Sequence, residues 1–342
     1  MIKVSSPLLQ GNEKKYLCQA IDEGEVSSEG KFVRRFEEAF AAWSGNKYAV
    51  AVNSGTAALE CAIWSLLIGL SRQNKRIAIP DHTIISCALA AIRAGAMPLF
   101  YEGQIQAPMI MRCHLFGCFN DKVAGPIIVD DASQYWKPFK PQDVACYSLY
   151  ANKLITCGEG GILVTNREDI FGLARSYRDL CREPGERFVH YDLGYNFRMS
   201  NLQAAVALAQ LEQINKHIEI KQRNRDLYKK YLKDLWESED IEIAFDTEVP
   251  WMYLIKTPHD AGIICKALID KGIDCRRHFA PLHSQPPFAK FTIGQGPFYI
   301  SENLWDHYLY LPSGLTLTER DIEDVCKGLC EVLREAKQHK AV

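Results

Sequence analysis

From about residue 47 onward, short runs that are apolar at every position alternate with longer stretches carrying apolar residues three and four apart. "KYAVAVNS" gives way to "GTAALECAIWSLLIG", then "RIAIP", "TIISCALAAIRAG" and "MPLFY". Further strand-like runs are "PMIMRCHLF", "PIIVDDA", "VACYSLY" and "GILVTN". Strands that are apolar throughout must be covered on both faces, which indicates a mainly parallel sheet between layers of helices. The pattern predicts an α/β fold. A helical periodicity opens at Ser200 with "NLQAAVALAQLEQI" and is expected to run to about Leu235. Beyond it, "MYLIK", "IICKALIDKGI" and "ERDIEDVCKGLCEVLREA" suit a smaller α+β unit. The expected organisation is a large α/β domain over residues 1–220 and a small C-terminal α+β domain over 221–342. The N-terminal segment is expected to pack on the small domain.

Composition narrows the class. A chain of 342 residues with 47% hydrophobic content can bury an extensive shared core. A formal net charge of −2, with no block of five or six like charges, argues against a nucleic-acid partner. No apolar run approaches the length that spans a membrane, and the first residues lack the apolar core of a signal peptide. The twelve cysteines include no C-x-x-C pair, and most lie in apolar segments, as buried thiols do. The expectation is a reduced, cytoplasmic protein without a membrane anchor.

Five stretches carry candidate chemistry. In "VNSGTAALECAI" a strand ends and Ser54-Gly55-Thr56 opens a helix, where free N–H groups and the helix dipole favour an anion such as phosphate. An ordinary N-cap serine explains the same letters equally well. "IIVDDASQYW" places Asp130 and Asp131 at the carboxyl end of a buried strand, with Gln134 three residues on. Asp130 reads as solvated or capping and Asp131 as the inward-facing anion, although the pair could equally be structural or ligate a metal. "SLYANKLITCGEGG" sets a single lysine, Lys153, between two apolar strands, followed by Gly158, Gly160 and Gly161. Such a lysine is a snorkelling surface residue or an imine-forming amine, and the glycines would let a planar ligand approach. "HYDLGYNFRMSNLQAA" holds Asn196 and Arg198 ahead of a helix capped by Ser200 or Asn201, or is plain loop. "CRRHFAPLHSQPPF" sets Arg276, Arg277, His278 and His283 among prolines, as an anion-recognising loop or a rigid surface loop.

Taken in order, "EGEVSSEGKFVRRFEEAFAAW", "SGTAAL", "DDASQ", "SLYANKLITCGEGG", "LGYNFRM" and "LYLPSGLTLTERDIEDV" resemble the sugar aminotransferases of the DegT/DnrJ/StrS type nearly end to end. These are fold-type-I enzymes using pyridoxal 5'-phosphate. The resemblance implies a mainly parallel, seven-stranded sheet of the aspartate aminotransferase superfamily. It implies that Lys153 forms the Schiff base with the cofactor and that Asp131 holds the ring nitrogen protonated. Gln134 then lies beside the ring's 3-oxygen, and Gly55, Thr56, Ala57 and Ser148 hold the phosphate. Asn196 reaches the phosphate of the neighbouring subunit, which implies a homodimer with shared active sites. Arg198, Arg276, His278 and His283 become candidates for holding substrate, and no metal takes part. The implied reaction moves an amino group, usually from glutamate, to a nucleotide-linked 4-keto-6-deoxy sugar. "SSEGKFV", "ANKLIT", "APLHSQPPF" and "LPSGLTLTE" look most like the perosamine-synthase branch, which uses a GDP-linked sugar. Another keto-sugar or a cyclitol, or a non-catalytic regulatory protein of the same fold, are the alternatives. Retention of Lys153, Asp131 and Gln134 together argues against the last.

Three departures from the family pattern stand out. Ile84 occupies the position of an aromatic that stacks on the cofactor ring, four residues after the proline of "PDHTI". The chain between Pro98 and Lys153 is short, leaving no room for the helices usual between those strands. "SRQNKR" replaces the usual "GDEV" turn. The first bears on how the cofactor is held; the others point to a trimmed scaffold.

Overall fold

The structure is a computed structural model that describes residues 1–183, 185–186, 188–293 and 295–340. Its centre is a seven-stranded sheet built from β1 (Tyr48–Val52), β2 (Arg76–Pro80), β3 (Met97–Tyr101), β4 (Met109–Cys113), β5 (Ile128–Asp131), β6 (Val144–Ser148) and β7 (Gly161–Thr165), in the order β1-β7-β6-β5-β4-β2-β3. Strands β3, β2, β4, β5 and β6 run parallel, and β7 is antiparallel to both its neighbours. The expected fold class is observed. Because side chains alternate across the sheet, Cys113, Asp131 and Cys146 lie in register on adjacent strands and share a face, while Arg112, Asp130 and Ala145 share the other.

Helices cover both faces. On one side lie α1 (Glu13–Asp22), α2 (Lys31–Ser44) and, later in the chain, α6 (Asn201–Leu211). Phe32, Phe36, Phe40 and Tyr147 fill the core there. On the other lie α3 (Gly55–Leu67), α4 (Ile85–Arg93) and α5 (Glu168–Arg178), over Val50, Ile79, Cys87, Cys113 and Cys146. Between β3, β4 and β5 the described residues contain only the short 3-10 turn Leu115–Gly117, in agreement with the trimmed scaffold.

The expected single helix from Ser200 to about Leu235 is instead three: α6, α7 (Ile214–Tyr231) and α8 (Lys233–Glu237). The first break lies where α1 meets α6. Glu212, the C-cap of α6, accepts hydrogen bonds from Asn12 Nδ2 and Tyr16 Oη, both 2.7 Å, so the start of α1 docks where the helix stops. Residues 220 and 221 fall inside α7, so a domain division there leaves the helix running through both parts.

A second, four-stranded antiparallel sheet holds β8 (Glu242–Ile243), β9 (Tyr253–Lys256), β10 (Arg276–Arg277) and β11 (Tyr308–Leu311), in the order β10-β11-β9-β8. Helices α9 (Ala261–Asp270), α10 (Tyr299–His307) and α11 (Glu319–Lys340) belong to the same stretch of chain. The N-terminus joins it: Ile2 N–H donates to Gly272 O at 2.8 Å, and Ser313 N–H donates to Val4 O at 2.9 Å. No described helix is long and apolar enough to cross a membrane, and no two described cysteines are disulfide-bonded.

One buried lysine ties the parts together. Lys221 in α7 donates to Trp251 O at 2.6 Å and Ser313 O at 2.5 Å, and burial pushes its pKa down from 10.5 to about 7. A neutral amine has two N–H groups, one for each carbonyl. Between about pH 7 and 10.5 the unfolded chain holds this proton more tightly than the folded one, so stability rises with pH across that window. The slope from this group approaches about 1.4 kcal/mol per pH unit. Lys221→Met should flatten that rise, which urea unfolding of both proteins at pH 6.5, 7.5 and 8.5 would measure; parallel curves for the two would refute it.

Candidate active site

The carboxyl edge of the large sheet concentrates the chemistry. β5 ends at Asp131, which is only 5% exposed. Its Oδ1 accepts from Ser133 N–H at 3.0 Å, and its Oδ2 from the Cys87 thiol at 3.2 Å. Cys87 is delivered by α4, and Ile84 is that helix's N-cap, one turn earlier and half-buried against the same core. Asp130, expected to be solvated or capping, is fully buried instead. Arg112 grips it bidentately, Nε to Oδ1 at 2.7 Å and Nη2 to Oδ2 at 2.9 Å. His114 completes the shell, its Nε2 lying 3.0 Å from Asp130 Oδ1. Because Asn120 N–H donates to His114 Nδ1 at 2.9 Å, the imidazole proton sits on Nε2 and points at the carboxylate. Two adjacent aspartates thus serve opposite faces, one closed by an arginine and a histidine and one facing α4.

Lys153 lies in the turn after β6. That turn is pinned by Leu149 N–H to Gly160 O at 2.8 Å, Lys153 N–H to Tyr150 O at 2.9 Å and Thr156 Oγ1 to Leu149 O at 2.8 Å. Burial pulls the Lys153 pKa from 10.5 to about 8, while Asp131 and then Cys87 pull it back up. The amine is therefore close enough to both groups to feel them. Its Nζ lies 4.5 Å from the centre of the Trp251 ring, and Trp251 Nε1 donates to Asn152 O at 3.0 Å. The glycines after it act differently from expectation. A Cβ on Gly161 would lie 2.3 Å from Ser54 O, and one on Gly160 would lie 2.5 Å from Cys157 Sγ. Gly158 adopts φ +85°. They permit tight chain packing and a left-handed turn.

The start of α3 is packed onto the same edge. A Cβ on Gly55 would come within 2.7 Å of Ser148 Cβ, so the Ser148 hydroxyl sits against the helix N-terminus. Ser54 is the N-cap and accepts from Ala57 N–H at 3.1 Å. The N-cap reading is observed, and it narrows what the anion reading has to work with. Ala57 N–H is taken by the cap, leaving Gly55 and Thr56 N–H with the Ser148 hydroxyl as the open donors. Gln134 accepts from Phe116 N–H at 2.8 Å, bracing a turn in which Phe116 has φ 54°.

The remaining candidates divide. His278 is buried, with Nε2 unpartnered, and burial, helped by nearby His82, lowers its pKa to about 3. Its ring lies 5.3 Å from that of Phe116, which in turn is 5.6 Å from Trp251, so it belongs to the same aromatic cluster. His283 is anchored, with its Nδ1 2.6 Å from Asp81 Oδ2 and its ring stacked on Phe298. Arg276 is exposed beside Asp274. Arg277 is held by Asp306 and the Trp305 ring. Arg198 pairs with Asp179 and lines a cleft of about 560 Å³ with Glu37 and Arg175. None of the three arginines has a contact with Lys153 or Asp131. Asn196 is exposed, and its backbone segment is tied to the end of β1 through Asn53 N–H to Phe197 O at 2.8 Å. Sequence reasoning missed Cys87, Arg112, His114 and Trp251. Only the ladder position of Cys113 and Arg112 beside the two aspartates, once the strands are paired, could have suggested any of them.

The family model for DegT/DnrJ/EryC1/StrS aminotransferases matches residues 7–114 and 140–330, omitting the segment where the scaffold is short. GDP-perosamine synthase of Caulobacter vibrioides is 31% identical, the match covering 97% of this chain and 98% of that protein. The enzyme of the same name from Escherichia coli O157:H7 is 29% identical over 96% and 98%. Among solved structures, a putative sugar aminotransferase of Streptococcus pneumoniae in its PMP form superposes with a TM-score of 0.87, at 16% identity and 99% coverage of both chains. The chain belongs to the DegT/DnrJ/EryC1/StrS aminotransferase family.

Proposed function

We propose that this protein is a pyridoxal-phosphate-dependent aminotransferase that converts a nucleotide-linked 4-keto-6-deoxy sugar to the 4-amino sugar, with glutamate as donor and a GDP-linked substrate as in the perosamine synthases. The observation that carries the reading is a desolvated lysine amine and a buried carboxylate on one sheet edge, beside an open helix N-terminus. The residues fit the cofactor: one anion for a ring nitrogen, one amine for an aldehyde, and Gly55, Thr56 and Ser148 donors for a phosphate. When bound, the cofactor supplies an aldehyde that condenses with amines and a ring that accepts electrons. Asp131 would hold the ring nitrogen protonated, its own orientation set by Ser133 N–H and the Cys87 thiol. Gln134 accepts from Phe116 N–H, which would leave its amide NH₂ for the ring's 3-oxygen. Ile84, at the N-cap of α4, would lie beside the ring. Lys153 would be the amine that holds the aldehyde and, when free, the base placed to carry a proton at the reacting carbons.

Neutral, buried His278 suits an uncharged sugar hydroxyl better than a diphosphate, since it stays unprotonated at ordinary pH. His283, fixed by Asp81, would hold the neighbouring part of the substrate. Arg198 and Arg276 are already committed to Asp179 and Asp274, and we assign them no substrate contact. The active unit is a homodimer in which Asn196 reaches the neighbour's phosphate site. Phe188, Tyr191, Leu193 and Tyr195 are exposed just before Asn196, an apolar run that a partner would cover.

Incubation with glutamate and a panel of 3-keto and 4-keto nucleotide sugars, followed by mass spectrometry, should give an amino sugar from the GDP-linked 4-keto-6-deoxy substrate. Conversion of only 3-keto sugars, or of none, would reject the assignment. Lys153→Ala and Asp131→Asn should each abolish measurable turnover while leaving melting close to wild type. With a Lys153 pKa of about 8, capture of added cofactor by cofactor-free protein should speed up about tenfold per pH unit below pH 8 and level off above it. Absorbance after rapid mixing reads this directly, and a flat profile from pH 6 to 9 would count against Lys153 as the amine. Mixing Lys153→Ala with Asn196→Ala protein should restore part of the activity through hybrid dimers holding one intact site; a fully active monomer in sedimentation would eliminate the shared site.

A further inference from the structure

Behind Asp131 lie two thiols, only one of which, Cys87, has been given a part above, that of orienting the carboxylate. Cys113 is the ladder neighbour of Asp131 on β4, and Cys87 comes down onto both from α4. The two sulfurs are 3.9 Å apart and Cys87 Sγ is 3.2 Å from Asp131 Oδ2, and one ligand atom from each of the three residues lies within 4.8 Å of the others. Two thiolates bound to one tetrahedral zinc, each at about 2.3 Å, stand about 3.8 Å apart, and a thiolate and a carboxylate oxygen about 3.5 Å apart. The two pairs that include Cys87 are thus already close to ligand spacing, and Cys113 and Asp131 lie within 4.8 Å of each other.

We propose that Cys87, Cys113 and Asp131 form a binding site for a thiophilic divalent cation such as Zn²⁺, which occupies the carboxylate otherwise available to the cofactor ring and so excludes the cofactor. Binding displaces two thiol protons to solvent: two S–H bonds break, two metal–sulfur bonds form, and no electrons are transferred. The cation, two thiolates and one carboxylate sum to −1, and the Lys153 ammonium, close enough to sense Asp131 and Cys87, brings the cluster to neutrality. That compensation matters because an unpaired buried charge is costly. Three protein ligands leave a fourth position for water. Cys87 is fully buried, whereas Cys113 and Asp131 each keep 5% exposure, so the ion enters from their side. Two sulfurs select soft ions over Mg²⁺ or Ca²⁺. The site itself stands on the three side chains; only its competition with cofactor rests on the role assigned to Asp131 above.

Co²⁺ serves as the probe. Full-length protein freed of cofactor and kept reduced is titrated with Co²⁺, following sulfur-to-cobalt charge-transfer absorption. One equivalent should give a two-thiolate signal that Zn²⁺ bleaches and Mg²⁺ leaves alone. Cys87→Ser and Cys113→Ala should each weaken binding at least about 100-fold, more than the loss of an outer-shell partner usually costs. Melting curves without metal identify any variant that fails to fold, and Asp131→Asn provides a third removal at a different atom. Absence of the thiolate signal in wild-type protein, or its persistence in both cysteine variants, overturns the site. Protein preloaded with pyridoxal phosphate should resist Co²⁺. If both bind together while the cysteine variants lose Co²⁺, the metal site stands and Asp131 is not the anchor of the ring.

Discussion

The Asp131 carboxylate, buried at the end of a parallel strand, is the constraint around which this site is arranged. A buried anion is tolerated only if donors or cations surround it, and here a backbone N–H and a thiol supply the immediate contacts while Lys153 supplies charge nearby. Those few partners leave the carboxylate able to accept something more. Its neighbour Asp130, with an arginine fork and a histidine, is satisfied. One sheet thus holds two buried carboxylates of opposite character, one closed and structural, one left with capacity.

The same economy governs the amine. Burial lowers the Lys153 pKa and the nearby anion restrains the fall, leaving an amine that titrates near pH 8. Trp251 caps the amine from a segment almost a hundred residues further along the chain, and its backbone carbonyl is gripped by Lys221. Because Lys221 also binds Ser313 O, the surroundings of Lys153 involve α7, the approach to β9 and the strand end after β11 at once. Small shifts in the C-terminal part of the chain are therefore felt at the amine.

Much of this was legible in the order of residues. Uniformly apolar strand runs announced a doubly covered parallel sheet, and the glycine-rich lysine turn, the paired aspartates and the Ser54 helix start announced the site, because each is set by local backbone chemistry. Local signals misled where the cause was distant. The periodicity from Ser200 continues through Glu212, yet α6 ends there, where the distant Asn12 and Tyr16 bond to the Glu212 side chain. The glycines after Lys153 looked like space for a ligand but serve the approach of Ser54 and Cys157. Asp130 looked solvated because nothing beside it in sequence is basic.

By itself, the sequence determined the strand and helix periodicities, the residue types at the strand ends and the family to which they conform. Only the tertiary structure decided which of two adjacent aspartates is closed by Arg112 and His114, which thiols stand behind the other, and that Trp251 covers Lys153. The reason is physical: strand alternation says that two neighbouring residues face opposite ways, but what waits on each side is set by strand order, register and the helices laid across them, none of which is a local property of the chain.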